Sequence, residues 1–198
     1  MLRRLIRPAD HRLMPWKNGQ GMTAEIAIDP PEGDVATGFR WRLSIAEVGA
    51  DGPFSAFPGY DRTIMLIAGN GMELRFADGR VERLDRRFEP FTFRGEDALD
   101  ARLIQGPVRD FNLMVRREAL TAAVGVLALA QGRQALPALG HGTTLILHAL
   151  EGGSSLDDGT VLAPGDTLVV QVEAQASHAV AADGERSLLF VARLSPRH

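Results

Sequence analysis

With 198 residues, 45% of them hydrophobic and 24% charged, the chain has the composition of a globular protein able to bury a core. Its net charge of −3 offers no general positive field for nucleic acid or an anionic membrane surface. The absence of cysteine excludes disulfides, thiolate metal sites and a cysteine nucleophile, and fits a reducing cytoplasm. No apolar leader core follows the N-terminal arginines, and no stretch approaches ~20 uninterrupted apolar residues. A cytoplasmic protein is expected.

In chain order, the first segment of interest is Met14–Ile26, MPWKNGQGMTAEI. Lys17 and Asn18 stand on a glycine-flanked turn, and Thr23 and Glu25 share one face of the strand predicted after it. An ammonium, an amide and a hydroxyl together suit a carboxylate or a phosphate. The alternative is an ordinary hairpin with solvated charges. The Gly-Lys-Ser/Thr order of a P-loop is missing.

The next segment, Trp41–Arg62, joins an alternating strand to a loop rich in Gly, Pro, Phe and Ser. Trp41, Leu43 and Ile45 project to one side, Arg42, Ser44 and Ala46 to the other. Such a polar face predicts a lined cavity. Pro53 and Pro58 stiffen the loop bearing Phe54, Ser55 and Phe57, which lowers the ordering cost of binding. Arg42 and Arg62 can each bind a carboxylate, or else pair structurally with Glu47, Asp51 or Asp61.

Short apolar runs then alternate with turn signals such as Asn70-Gly71, Asp78-Gly79 and Asp158-Gly159. Strands are expected at 63–68, 72–76, 98–105, 111–116, 143–150, 167–172 and 187–193. In the fourth of these, Asn112, Met114 and Arg116 alternate with Phe111, Leu113 and Val115, so Asn112 can reach the cavity or simply face water. Residues 118–135, rich in Ala and Leu, read equally as a helix or as a strand with a loop; Gly125 and Gly132 weaken the helix. Thr63–Gly69 with its following turns is echoed at different spacings by Thr144–Gly152 with its own, which reads either as two small tandem β units or as coincidence among β-turns.

The five histidines share no short ligand spacing, and no H-x-H precedes a carboxylate. His148, Glu151 and His178 form the one conceivable trio. Neither a metal nor another cofactor is expected. Ser55 lacks an oriented histidine base.

Together these blocks resemble the HutD/Ves family. The matching residues are Pro15-Trp16-Lys17-Asn18-Gly19, Gly21, Thr23 and Glu25, then Trp41-Arg42, Ser44 and Ala46. They continue through Gly52-Pro53-Phe54-Ser55, Phe57-Pro58-Gly59 and Arg62 to Gly106-Pro107, Asp110, Asn112, Met114 and Arg116. The similarity covers about residues 10–117. Gln20 departs from it, standing where a glycine is usual, so the shape of that turn is in question.

The resemblance implies an all-β fold of cupin-type jelly-roll barrels, two in one chain, here 1–117 and 118–198 with some strands shared. It also implies an association with bacterial histidine utilisation and an intermediate such as formylglutamate as ligand. The expected binding residues are Lys17, Asn18, Thr23, Trp41, Arg42, Ser44, Phe54, Ser55, Arg62 and Asn112. A small carboxylate is the expected partner, with neither nucleic acid nor membrane, and a homodimer as the possible assembly. Alternative readings are a metal-independent isomerase or hydrolase using Glu25 or Glu47 as base, and a protein–protein adaptor.

Overall fold

The computed structural model describes residues 2–16, 19, 21–130, 132–136 and 138–197. Apart from a 3-10 turn at Pro8–Asp10, its regular structure is β-strand. Turn chemistry sets where strands stop. Asp78-Gly79 closes the hairpin of Met72–Phe76 and Val81–Leu84, with Gly79 at φ 93°. Asn70-Gly71 instead makes a corner between sheets, with Gly71 at φ 107°. A β-carbon on Gly71 would stand 2.5 Å from the Leu84 carbonyl oxygen, so both conformation and space demand glycine there.

The strands form two compact units, one of residues 11–119, the other of residues up to 10 together with those from 120 onward. The opening residues, expected with the first barrel, thus belong to the second unit. The reason is pairing: Leu2–Ile6 lies antiparallel to Thr167–Gln171, with Leu5 opposite Leu168. The boundary otherwise falls two residues beyond the expected one.

In the 11–119 unit a six-stranded sheet runs in the order Arg12–Pro15, Gly21–Asp29, Trp41–Val48, Val108–Arg116, Tyr60–Ala68, Phe91–Arg94. A four-stranded sheet has the order Gly52–Pro53, Leu99–Leu103, Met72–Phe76, Val81–Leu84. Ile64, Leu66 and Val108 of the first sheet join Met72, Leu74, Leu99 and Ala101 of the second in one buried cluster. In the other unit, a five-stranded sheet runs Leu2–Ile6, Thr167–Gln171, Thr144–Glu151, Ser187–Pro196, Leu120–Leu129. Its four-stranded companion runs Arg133–Ala135, Ala179–Ala182, Ser154–Leu156, Val161–Leu162, and Leu145, Leu147, Leu156, Val170 and Val180 fill its core.

The echo in the sequence is a repeat of topology. In chain order, the eight strands from Trp41–Val48 to Val108–Arg116 take the same places in their two sheets as the eight from Leu120–Leu129 to Ser187–Pro196. A bulge recurs at matching positions, Ile67 and Leu150, each shortly before a positive-φ glycine, Gly69 and Gly152. The helical alternative for 118–135 fails because Leu120–Leu129 pairs along its whole length with Ser187–Pro196. Tertiary pairing there overrides the Ala and Leu content.

Candidate ligand cavity

Residues directly opposed in antiparallel strands share a sheet face. The register sets Arg42 opposite Met114 and Met114 opposite Arg62, then Ser44, Asn112 and Ile64 in the next row. A third row is Thr23, Ala46, Asp110 and Leu66. On this inner face Ile64 and Leu66 enter the core, while Arg42, Ser44, Arg62, Asp110 and Asn112 make up its polar half. The polar half borders a cavity of about 520 Å³, closed on other sides by Trp16, Phe54, Ser55 and Phe57. The loop carrying these aromatics is pinned: Phe54 N–H donates to Leu99 O at 3.0 Å, and Phe57 N–H to Gly95 O at 2.7 Å.

Arg62 is the centre of the site. Its guanidinium carbon lies 5.1, 5.5 and 5.3 Å from the ring centres of Phe54, Phe57 and Phe93. Three aromatic faces hold a cation while excluding water from it. One Nη donates to the Ser55 carbonyl at 3.3 Å. Nε is buried and has no hydrogen-bond partner among the described residues. Burial lowers the Arg62 pKa to about 10, with Asp110 opposing that fall and Arg42 adding to it. At neutral pH it remains a cation with an unspent donor.

Asp110 is 1% exposed, and burial raises its pKa to about 7 against the pull of Arg62 and a hydrogen bond from Asn112. Asp110 Oδ1 and Asn112 Oδ1 are both buried without partners among the described residues. Three orphan polar atoms, one donor and two acceptors, therefore belong to residues of a single cavity wall. Unpaired buried polar atoms cost ~1–3 kcal/mol each, so such a cluster marks a place built to receive a polar group.

Arg42 is also buried, but its partner is none of the three carboxylates expected from the sequence. Its Nε donates to Glu25 Oε2 at 2.6 Å, while Arg12 approaches Glu25 Oε1 at 3.2 Å. The bulge beside Glu25 in Gly21–Asp29 sets Glu25 directly opposite Ser44, beside Arg42. Glu47, Asp51 and Asp61 serve other arginines, Arg109, Arg102 and Arg117. Glu25 is thus held by two cations, and exposed Glu47 does not border the cavity, so neither is placed to act as a general base there.

Of the residues expected at the site, Thr23, Arg42, Ser44, Phe54, Ser55, Arg62 and Asn112 border this one cavity. Trp41 does not. It stands on the opposite face of its strand from Arg42, buried, as the alternation itself requires. Lys17, Asn18 and Gln20 lie outside the described residues. The tryptophan that borders the cavity is instead Trp16, whose indole N–H donates to Thr23 Oγ1 at 2.8 Å. Gly21 makes room for that ring: a β-carbon there would lie 2.8 Å from it. Trp16, Asp110 and Met114 also border the cavity and are not among the residues expected there. Asp110 and Met114 were recoverable, since both alternate in phase with Asn112.

The repeat supplies an internal control. Anchored on the shared bulge, Arg42, Ser44, Arg62, Asp110 and Asn112 correspond to Ala123, Gly125, Leu145, Leu189 and Val191. The matching groove, about 400 Å³, is apolar but for Gln134 and Arg193. One unit carries the polar chemistry and the other lacks it at the matching positions. Among the described residues no three His, Asp or Glu side chains gather as metal ligands. His148 bonds Thr167 Oγ1 at 2.7 Å, and His178 lies 3.7 Å from Asp157.

Fold and cavity define a two-unit cupin-type protein with an arginine-centred pocket in one unit. The chain belongs to the HutD family, whose model matches residues 8–190. It is 46% identical over 110 residues to an uncharacterized 21.2 kDa protein of the hutC 3′ region of Pseudomonas putida, 56% of each chain. To protein Ves of Citrobacter koseri it is 40% identical over 121 residues, 59% of this chain and 61% of that one. The match thus spans little more than half of these curated relatives. Among solved structures, HutD of Pseudomonas fluorescens SBW25 (formate condition) is 34% identical over the whole of both chains, with a TM-score of 0.84. YhhW of Escherichia coli, at 10% identity and a TM-score of 0.71, shares the fold alone. No helix among the described residues is long and apolar enough to cross a membrane.

Proposed function

We propose that this chain is a small-molecule-binding cupin that takes a carboxylated metabolite into the 11–119 unit and thereby modulates histidine utilisation. The observation that carries the reading is Arg62: a buried cation in an aromatic cage, with an unpaired Nε, beside Arg42. A carboxylate satisfies both guanidinium groups, and Phe54, Phe57 and Trp16 bury its apolar stem. Each charge-assisted hydrogen bond contributes ~1.5–3 kcal/mol net. Against an association cost of at least ~4 kcal/mol, two such bonds and the apolar wall give modest affinity. The hutC-region name of the Pseudomonas putida relative supports a ligand drawn from histidine degradation, formylglutamate or a near neighbour.

The test is a thermal-shift and calorimetric panel of formylglutamate, formiminoglutamate, urocanate, glutamate and formate. Ligand at ~100 times its Kd adds ~2.7 kcal/mol to stability. At least one acid stabilises the protein, and Arg62→Met abolishes the effect while the fold survives. A flat panel refutes the reading.

A second reading, turnover of such an acid, is favoured by one observation, the raised pKa of Asp110 beside the cavity. It requires Asp110→Asn to bind the acid and release no product. Absence of turnover by the native chain on every acid that binds eliminates it.

A further inference from the structure

Leu120–Leu129 is an outer strand, hydrogen-bonded along one edge to Ser187–Pro196 and paired with nothing along the other among the described residues. It runs 10 residues, LTAAVGVLAL, without a charge or a proline. Thr121, Ala122, Ala123 and Ala128 are exposed, and Val124 to Leu127 half-buried. A long, uncharged, open edge is a template for another strand, and proteins ordinarily blunt such edges. The other outer strands of the two larger sheets are blunted. Leu2–Ile6 carries two arginines, Arg12–Pro15 an arginine and a proline, and Phe91–Arg94 has four residues ending in Arg94.

The repeat says what belongs on this edge. Trp41–Val48 occupies the same place in the other unit, and its corresponding edge is covered by an antiparallel strand, Gly21–Asp29. No strand among the described residues does this for Leu120–Leu129. Alongside it runs the apolar groove of about 400 Å³ lined by Ala123, Gly125, Leu127, Leu136, Leu145 and Val191.

We propose that Leu120–Leu129 pairs antiparallel with the same strand of a second copy across a two-fold axis. A second copy is the fitting occupant because a two-fold pairing closes both edges at once and stops there. Facing residues must share a sheet face, which fixes the register to one centred on a residue. Centred on Gly125, the pairing sets Ala123 against Leu127 of the second copy and Val124 against Val126. The two inner faces stay continuous, and no charges are opposed. This inference is independent of the ligand reading.

Light scattering after size exclusion then gives twice the 21.4 kDa chain mass. The double variant Val124→Lys, Val126→Lys opposes like charges across the pair and gives a monomer with an unchanged far-ultraviolet β spectrum, its dimer Kd raised at least ~100-fold. Should that variant unfold, Gly125→Cys decides. The chain has no cysteine, and a side chain at Gly125 meets nothing within 4 Å. Oxidation links it into a covalent dimer, while Val161→Cys, on an exposed residue elsewhere, stays monomeric. A native monomer at high micromolar concentration, a dimer that survives the lysines, or a Gly125→Cys chain that links no better than Val161→Cys overturns the proposal.

Discussion

Asp110 holds a proton into the neutral range at a cost to the fold, and Asp110→Asn exposes that cost. The carboxyl is 1% exposed, and burial moves its pKa from the ordinary 3.8 to about 7. The unfolded chain releases the proton near 3.8, whereas the folded chain keeps it to about 7. Between those values the folded state binds more protons, so stability falls as pH rises. That interval, at ~1.4 kcal/mol per pH unit, makes a penalty of ~4 kcal/mol fully present above neutrality and absent in acid. Asn keeps the shape and cannot ionise, but deprives Arg62 of its facing carboxylate. We therefore expect about half the penalty to be recovered, ~2 kcal/mol, at pH 8. Urea denaturation of both chains at pH 5 and pH 8 measures it. The variant leads by less than ~1 kcal/mol at pH 5, where only the part of the penalty between 3.8 and 5 has accrued, and by more at pH 8. If the variant is instead the weaker chain at pH 8, Arg62 holds Asp110 ionised and the reasoning fails.

Two further perturbations probe what surrounds the cavity. Gly21→Ala places a methyl 2.4 Å from the Glu47 carbonyl oxygen and 2.8 Å from the Trp16 ring. Overpacking of this kind costs ~1–3 kcal/mol, and the displaced indole loses its bond to Thr23; chemical denaturation and indole fluorescence read the two effects. Arg117 joins Asp61 at 2.7 Å and Glu96 at 2.8 Å, and its hydrogen bonds hold the Glu96 pKa down to about 2 from 4.5. A lowered carboxyl pKa stabilises above the unfolded value and less as pH falls through it. Arg117→Ala is accordingly less stable by ~1 kcal/mol at pH 7, the partly exposed pair being screened, and the difference shrinks between pH 4.5 and 2. A gap unchanged across that range in a pH-resolved thermal melt rules the network out as its cause.

Alternation and turn chemistry are local, so they were legible without coordinates. The strands Thr63–Ala68 and Met72–Phe76, the Asp78-Gly79 hairpin and the polar phase of Arg42, Ser44 and Ala46 all follow from a period of two and from glycine at positive φ. The tandem echo was readable for the same reason: each unit must stop its strands at equivalent places, and Gly69 and Gly152 do so. Propensity left Leu120–Leu129 open between helix and strand, and pairing with Ser187–Pro196 decided it.

The sequence by itself determined which side chains face the same way, because strand geometry ties that to parity. It therefore put Arg42 and Ser44 on one face of their strand, and Asp110, Asn112 and Met114 on one face of theirs. Only the tertiary structure decided which of these meet. Cross-strand register brought Arg42 level with Met114 and Arg62, and a bulge beside Glu25 gave Arg42 its partner, leaving Glu47, Asp51 and Asp61 to others. Burial then did what no residue type announces. It left Arg62 Nε, Asp110 Oδ1 and Asn112 Oδ1 without partners among the described residues. Desolvation depends on everything packed around an atom, and that is set by chain segments far apart in sequence.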